Sequence, residues 1–312
     1  MGPDLDDIAE LLEDFKTELR RTNKSKGTID TYSRDVGYFV AFLASQEPPI
    51  APTAAALTRD NIGTYIEDTL NRTNKRTGKP VTPEYAHRQY RSLQQFCRYL
   101  EYKAIIGVNP FDKMNPPTVP EKPIPVPPIE SLRKLLSVCE GTDFESRRDT
   151  AIIRLMADIG PRINEIAPLD LDALDFHENT ALVIGKGRRP RNLPFGDKTR
   201  IALRRYLRAR AQHPQAANDN PALWLGKRGR MTGSGIQQML DRRAEQAGIG
   251  HIHPHQLRHF FAHNWLANGG QEQDLMMLAG WRSRQMLARY ARATAETRAQ
   301  DAHRKARLGD QL

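Results

Sequence analysis

A proline-rich run at residues 115–128 constrains this chain more than any other feature of its sequence. Seven of these 14 residues are proline, which lacks the amide hydrogen and the backbone freedom that helices and central strands need. The run is therefore predicted to be a stiff, extended linker of polyproline character. It separates an N-terminal domain at 1–114 from a C-terminal domain at 129–312, and two domains joined in this way can close around opposite faces of a rod-shaped ligand.

The N-terminal domain shows helical periodicity throughout. Apolar residues at three-to-four spacing predict amphipathic helices over about 5–22, 28–45, 58–70 and 82–102, and a threonine at the start of the last three is a candidate N-cap. A bundle of four or five helices follows from this pattern. Basic residues in one loop and on one face of the last helix are candidate phosphate contacts, although such charges are more often only solvated: Arg72, Lys75, Arg76, Lys79, His87, Arg88 and Arg91.

The C-terminal domain is predicted to be mainly α-helical with one small β-hairpin. Helices are expected at 129–139, 147–159, 197–211 and 233–247, and a strand at 181–184 returns at 192–195 through a turn at 185–191. The turn lifts Lys186 between two glycines. Other basic side chains in this turn and in a later one are candidate DNA contacts: Arg188, Arg189, Arg191, Lys227, Arg228 and Arg230.

The pair Gly160-Pro161 should end one helix and start another at Arg162. This places Arg162 in a first helical turn, beside unpaired backbone amides that suit an anion. Glu165 lies three residues further on and can brace its neighbours. An ordinary surface pair of arginine and glutamate is the competing interpretation.

The last sixty residues hold the densest set of reactive side chains. A helix from Pro254 to the Gly269-Gly270 pair carries His255 and Arg258 three residues apart on one face, and a short helix over 272–279 precedes Trp281. Tyr290 follows on a further helix. The nearby histidines also suggest a metal site, but Gln256 stands where a His-Glu-x-x-His motif needs glutamate, and no cysteine ligand is close; neither metal nor cofactor is expected.

Charge is distributed unevenly along the chain. Residues 1–120 contain 16 basic and 16 acidic side chains, whereas residues 121–312 contain 31 and 21, which accounts for the whole net charge of +10. A field of this size over one domain favours a polyanion such as nucleic acid. No long apolar run and no signal-peptide pattern is present, so a cytosolic protein without a membrane partner is expected, and Cys97 and Cys139 suggest neither a disulfide framework nor a metal site.

These residues, in this order, resemble the tyrosine recombinase or phage-integrase family. Residues 159–166 resemble its first arginine box, Gly185-Lys186-Gly187 its lysine hairpin, and residues 255–259 its His-x-x-Arg box. The segment 278–281 ends in tryptophan where most members have histidine, and Pro161 is an unusual residue before the arginine. Tyr290 falls where the nucleophile should be. The resemblance covers nearly the whole chain and is closest to compact, two-domain Xer-like or integrase-like members.

The resemblance implies an N-terminal helical, SAM-like core-binding domain and a C-terminal catalytic domain with a docking tail. By it, Tyr290 attacks DNA to form a 3′-phosphotyrosine, Arg162 and Arg258 hold the phosphate, and Lys186 protonates the leaving 5′-oxygen. His255 would bind the phosphate or accept the tyrosine proton, and Trp281 would donate its indole N–H. Glu165 and His259 would hold these catalytic residues in position.

The family resemblance further implies partners and a setting. The partners are double-stranded recombination sites and three further protomers, which are either identical or include a paralogous recombinase. The tetramer would exchange strands through a Holliday junction. The reaction would need no metal, ATP, cofactor or small-molecule substrate. A cytoplasmic, nucleoid-associated location follows. A type IB topoisomerase, a catalytically idle DNA-binding regulator and a histidine-dependent metal hydrolase stay open as alternatives.

Overall fold

The computed structural model describes residues 6–74, 77–120, 125–185, 187–217, 219–288, 290, 299–300 and 303–304. The chain divides into two compact units, residues 1–122 and 123–312. Residues 115–120 and 125–128, in the proline-rich run, form neither helix nor strand. In the part of the chain that is described, no helix is both long and apolar enough to cross a bilayer.

The first unit is a bundle of helices, each started by a side-chain cap. Asp7, Ser25, Thr58 and Thr82 accept hydrogen bonds from the first-turn amides, which satisfies donors that have no partner within the helix. The caps at Thr58 and Thr82 confirm the sequence prediction. The cap at Thr28 is wrong, because the second helix begins one turn earlier at Ser25. The helices are α1 (Ile8–Arg21), α2 (Lys26–Ala44), α3 (Arg59–Asn71) and α4 (Pro83–Tyr102).

The core of the first unit is aromatic where α2, α3 and α4 meet. Phe39, Tyr65 and Phe96 are fully buried, and the Phe39 and Tyr65 rings pack edge to face with centroids 5.4 Å apart. A buried carboxylate accompanies them: Asp35 accepts hydrogen bonds from Ser92 and Gln89 on α4. These contacts fix α2 against α4 and so fix the shape of the bundle.

The second unit is also mainly helical, with a small antiparallel sheet, so the predicted fold class is confirmed. In the sheet, Val183 lies opposite Arg191 and Gly185 opposite Arg189. The helices are α5 (Ile129–Ser137), α6 (Phe144–Ile159), α7 (Ile163–Ile166), α8 (Asp197–Arg210), α9 (Gly233–Gln246), α10 (Pro254–Ala267) and α11 (Glu272–Ala279), and the strands are β1 (Leu174–Asp175), β2 (Thr180–Gly185), β3 (Arg189–Pro194), β4 (Leu225–Gly226) and β5 (Gly229–Arg230).

Several boundaries in the second unit differ from the sequence prediction, and three of them are traced to particular residues. Helix α6 begins at Phe144 and not near Arg147, because Asp143 caps it. Arg162 is the N-cap of α7 and not part of its first turn. Strand β3 begins at Arg189, so the hairpin turn is shorter than the predicted one at 185–191. The shorter turn matters for function, because it places Arg191 inside the sheet.

Trp224 anchors α7 to the core of the second unit. Its ring is fully buried and stacks on Tyr206 with centroids 5.4 Å apart. Its indole nitrogen donates to the Ile166 carbonyl at 2.9 Å, which is one of the carbonyls left without a partner at the end of a helix. The tryptophan therefore holds the short helix that follows Arg162.

Candidate active site

Two glycines in the left-handed conformation end the helices that lead into the site. Gly160 (φ 57°) ends α6 two residues before Arg162, and Gly280 (φ 62°) ends α11 one residue before Trp281. Glycine adopts this conformation without steric cost. A Cβ at Gly160 would also overlap the ring of Phe261 on α10. Helix α10 therefore packs directly against the backbone that leads to Arg162.

Arg258 ties these two helix ends together. Its side chain is only 4% exposed, and it donates to the Gly160 carbonyl at 2.7 Å and to the Ala279 carbonyl. Its guanidinium lies 5.5 Å from the Trp281 ring centroid. Burial, with a smaller effect of the nearby Arg162 charge, lowers the pKa of Arg258 to about 10, so it stays a cation at neutral pH.

Arg162 is held by Glu165, as the sequence predicted for this pair. The Arg162 amide donates to one carboxylate oxygen at 2.9 Å and the guanidinium donates to the other at 2.8 Å. Burial alone would raise the pKa of Glu165, but the hydrogen bond from the Arg162 amide and the charges of Arg191 and Arg162 bring the pKa below its usual value. Glu165 is therefore an anion, and the Arg162 side chain, 34% exposed, keeps an accessible edge.

Tyr290 is enclosed by an indole and an imidazole. It is 3% exposed, and its ring stacks on Trp281 with centroids 5.0 Å apart and planes 17° apart. Its hydroxyl is hydrogen bonded to Nδ1 of His259. Burial, and then the charges of His255 and Arg258, lower the pKa of His259 to about 4. A neutral imidazole whose Nδ1 carries no proton can accept the phenol proton.

His255 occupies a different position from the one expected of a base. Its side chain is exposed one turn before His259, and the two rings lie 6.3 Å apart. Burial on one side, and then the charges of Arg258 and Arg162, lower its pKa. Of the two histidines, His259 is the one that contacts the phenol, and His255 lies near both arginines. The sequence had assigned His259 only a supporting role.

Lys186 lies outside the described residues, as do Lys75 and Arg76. The end of the strand before Lys186 is described, and it lies against the site. A Cβ built on Gly185 would be 3.4 Å from a Glu165 carboxylate oxygen. The hairpin that carries Lys186 thus begins next to the carboxylate that holds Arg162.

Several predicted DNA contacts are engaged in internal interactions. Arg72 bonds to Thr69 and pairs with Asp68, Arg88 pairs with the buried Asp35, and the His87 ring is hydrogen bonded to the Pro117 carbonyl. Arg230 donates to the carbonyls of Pro168 and Leu169 and pairs with Asp170. These contacts hold local structure. Six other predicted contacts are exposed to solvent: Lys79, Arg91, Arg188, Arg189, Lys227 and Arg228.

Arg191 is placed inside the site and not on the predicted DNA-binding loop. Its guanidinium donates to Glu165 at 2.9 Å, and the side chain is 15% exposed. Sequence reasoning missed this position, although a signal was present. Side chains two residues apart in a strand share a face, and the buried Leu193 follows Arg191 by two residues.

Among the described residues, no group of three or more histidine, cysteine, aspartate or glutamate side chains is arranged to hold a metal ion. The charged groups that converge are three arginines and one glutamate: Arg162, Arg191, Arg258 and Glu165. Their net positive charge, beside a buried phenol on a neutral imidazole, suits an anion that reacts with a hydroxyl nucleophile.

Solved structures with this fold include recombinases and integrases bound to DNA. The integrase of the Tn1549 transposon in complex with transposon right end DNA aligns with a TM-score of 0.70 at 19% identity, over 95% of this chain and 98% of that chain. The XerH site-specific recombinase bound to its difH substrate aligns with a TM-score of 0.66 at 18% identity, over 92% of this chain and 83% of that chain. At such identities the likeness concerns the fold.

The sequence comparisons identify the family. Residues 129–297 match the model of the phage integrase family. Tyrosine recombinase XerC of Oceanobacillus iheyensis is 31% identical over 282 residues, which cover 88% of each chain, and that of Neisseria meningitidis serogroup B is 32% identical over 83% of this chain and 82% of its own. The chain belongs to the phage integrase family and is a tyrosine-type site-specific recombinase.

Proposed function

We propose that this recombinase cuts and rejoins double-stranded DNA through a covalent bond between a 3′-phosphate and Tyr290. One observation carries the proposal: the Tyr290 hydroxyl is hydrogen bonded to the neutral imidazole of His259, in a buried cluster with Trp281, whose ring faces the Arg258 guanidinium. A phenol needs a base and nearby positive charge to attack a phosphodiester, and this cluster supplies both.

In the proposed step, the Tyr290 oxygen attacks phosphorus while its proton passes to His259. The bond from phosphorus to the 5′-oxygen breaks, and Lys186 supplies the proton that leaves with the 5′-hydroxyl. Arg162 and Arg258 stabilise the charge that develops on the non-bridging oxygens. His255, beside both arginines, hydrogen bonds to the same phosphate.

Rejoining is the reverse of cleavage. A 5′-hydroxyl from a partner strand attacks the phosphotyrosine, and Tyr290 recovers its proton from His259. The covalent intermediate retains the energy of the phosphodiester, so the cycle needs no ATP. Arg162 and Arg258 stabilise the charge on the phosphate, so the proposed step uses no metal. Trp281 stacks on the phenol and can donate only its indole N–H, which suits one contact to the phosphate.

Strand exchange between two sites requires four active sites. We propose a tetramer on paired DNA sites, made of this chain alone or shared with a paralogous recombinase, that passes through a Holliday junction. DNA as a partner is supported by the relatives, since the XerH recombinase and the Tn1549 integrase were each solved with a DNA substrate. The positive charge of residues 121–312 supports the same partner.

The proposal is tested by Tyr290→Phe on a nicked suicide duplex in the presence of EDTA. We expect the wild type to form a covalent protein–DNA species under these conditions and the variant to form none, while DNA binding persists because only one hydroxyl is lost. Tyr102→Phe removes an exposed phenol from the first unit and serves as the matched control. A normal yield of adduct from Tyr290→Phe would exclude Tyr290 as the nucleophile, and loss of the wild-type adduct in EDTA would exclude a metal-free reaction.

A further inference from the structure

Arg191 lies where three elements of the site meet. Its guanidinium donates to Glu165, which in turn holds Arg162. Its Nη1 would lie 2.6 Å from a Cβ on Gly185, at the end of the strand before Lys186, and a Cβ on Gly280 would overlap the same guanidinium. The Arg191 side chain therefore contacts three parts of the site: the carboxylate that holds Arg162, the strand that leads to Lys186, and the turn that carries Trp281.

The close approach depends on the two glycines. Real Cβ atoms essentially never come within 3.0 Å of another heavy atom, so any side chain at Gly185 or Gly280 would displace the guanidinium. The planar group fills the space that the glycines leave open. The two glycines therefore fix the position of the Arg191 guanidinium. Because this guanidinium donates to Glu165, it also restricts where the Glu165 carboxylate can lie.

Stability alone does not explain this arrangement. The Nε of Arg191 is buried and has no hydrogen-bond partner among the described residues, and a buried donor without a partner is costly. Positive charge is also crowded, since Arg191 stands near Arg162 and Arg258 with one carboxylate among them. A buried Nε–H left without a partner on an arginine among like charges is typical of a functional site.

We propose that Arg191 is a positioning residue for DNA cleavage, which locks Glu165 and thereby orients the phosphate-binding Arg162 against the turn that carries Trp281. This inference rests on the proposed phosphotyrosine reaction and assigns Arg191 no contact with DNA. Loss of Arg191 leaves Glu165 held from one side only, so Arg162 acquires alternative positions. A displacement of about 1 Å at a reacting centre can cost about 100-fold in rate.

The test compares Arg191→Gln with Arg200→Gln, which breaks an exposed arginine–aspartate pair on α8 with the same loss of charge. Single-turnover adduct formation is measured at saturating protein, and the Kd for the same duplex is measured separately. We expect Arg191→Gln to cleave about 100-fold more slowly than Arg200→Gln, with Kd values that agree within about threefold. Equal cleavage rates, or a loss of binding as large as the loss of cleavage, would overturn the proposal.

A double-mutant cycle separates positioning from general packing. If Arg191 acts through Glu165, Arg191→Gln should change the cleavage rate by less than about threefold in a Glu165→Gln background. Independent, multiplicative losses would show that Arg191 acts by another route and would overturn the proposal.

Gly185→Ala provides a variant that keeps every charge. Its Cβ would overlap the flexible end of Arg191 and would meet the Glu165 carboxylate and the Arg189 carbonyl only at 3.4 Å. It decides the question if Arg191→Gln fails to fold in a thermal melt. We expect about a 10-fold slower cleavage, as for a small misplacement, and a wild-type rate would overturn the inference. Failure of the proposed function is distinguishable, because the wild type would then form no adduct at all.

Discussion

Replacement of His259 by glutamine tests which histidine receives the proton of Tyr290. Glutamine has a similar reach and can still hydrogen bond to the phenol, but it cannot take up a proton at neutral pH. A positioned general base contributes about 10²- to 10⁴-fold. Because the pKa of His259 is lowered to about 4, this imidazole is a weak base, and we expect a loss near the lower limit, about 100-fold or roughly 2.7 kcal/mol.

The assay is single-turnover formation of the covalent adduct on a nicked duplex, and His255→Gln is the matched comparison. It makes the same substitution one turn earlier on α10, at an exposed ring, so we expect a smaller loss of rate. A larger loss for His255→Gln than for His259→Gln would refute the assignment of His259 as the base.

The pH dependence of adduct formation is a second test of His259 as the base. The pKa of His259 is lowered from 6.5 to about 4, so His259 stays neutral as the pH falls through 6.5 and protonates only near pH 4. The ratio of the wild-type rate of adduct formation to the His259→Gln rate, measured at subsaturating protein, should therefore stay constant down to about pH 5. Since the unfolded state binds this proton more readily, stability should decline as the pH falls from 6.5 towards 4. A His259-dependent loss of rate centred on pH 6.5 would contradict the burial argument.

Two further substitutions separate catalysis from architecture. Arg258→Ala should slow cleavage about 10²- to 10³-fold. It should also lower the melting temperature, because the Gly160 and Ala279 carbonyls lose their donor. Equal losses of cleavage and DNA binding would show that this arginine only binds DNA. Asp149→Ala should destabilise the second unit by about 3–5 kcal/mol in urea unfolding, because the buried carboxylate pairs with Arg148 and Arg243; a change below about 1 kcal/mol would contradict that estimate.

Most helices could be predicted from the sequence because their positions depend on local signals. The threonine caps at Thr58 and Thr82 and the glycine stop at Gly160 were readable from single residues. The cap at Ser25 was missed because Ser25 and Thr28 are both capping residues, three positions apart, and serine is only slightly preferred to threonine.

Candidate residues for the site could be chosen from the sequence, but their contacts could not. The direction of Arg191 depends on where β3 begins, and a shift of one residue reverses every side chain in a strand. The choice between His255 and His259 depends on Tyr290, which lies 31 residues beyond His259, and its approach is a tertiary property. Sequence spacing could not supply either relation.

Arg258 joins two helix ends of the second unit and, in the proposed reaction, also binds the phosphate. These two roles affect how related chains should be judged. A lineage that lost the chemistry would still need the guanidinium to join the ends of α6 and α11, so its presence in a relative says little about whether that relative is active. Arg162 is partly exposed and braces little besides its own glutamate. We therefore expect loss of Arg162, more than loss of Arg258, to identify a relative that binds DNA without cutting it.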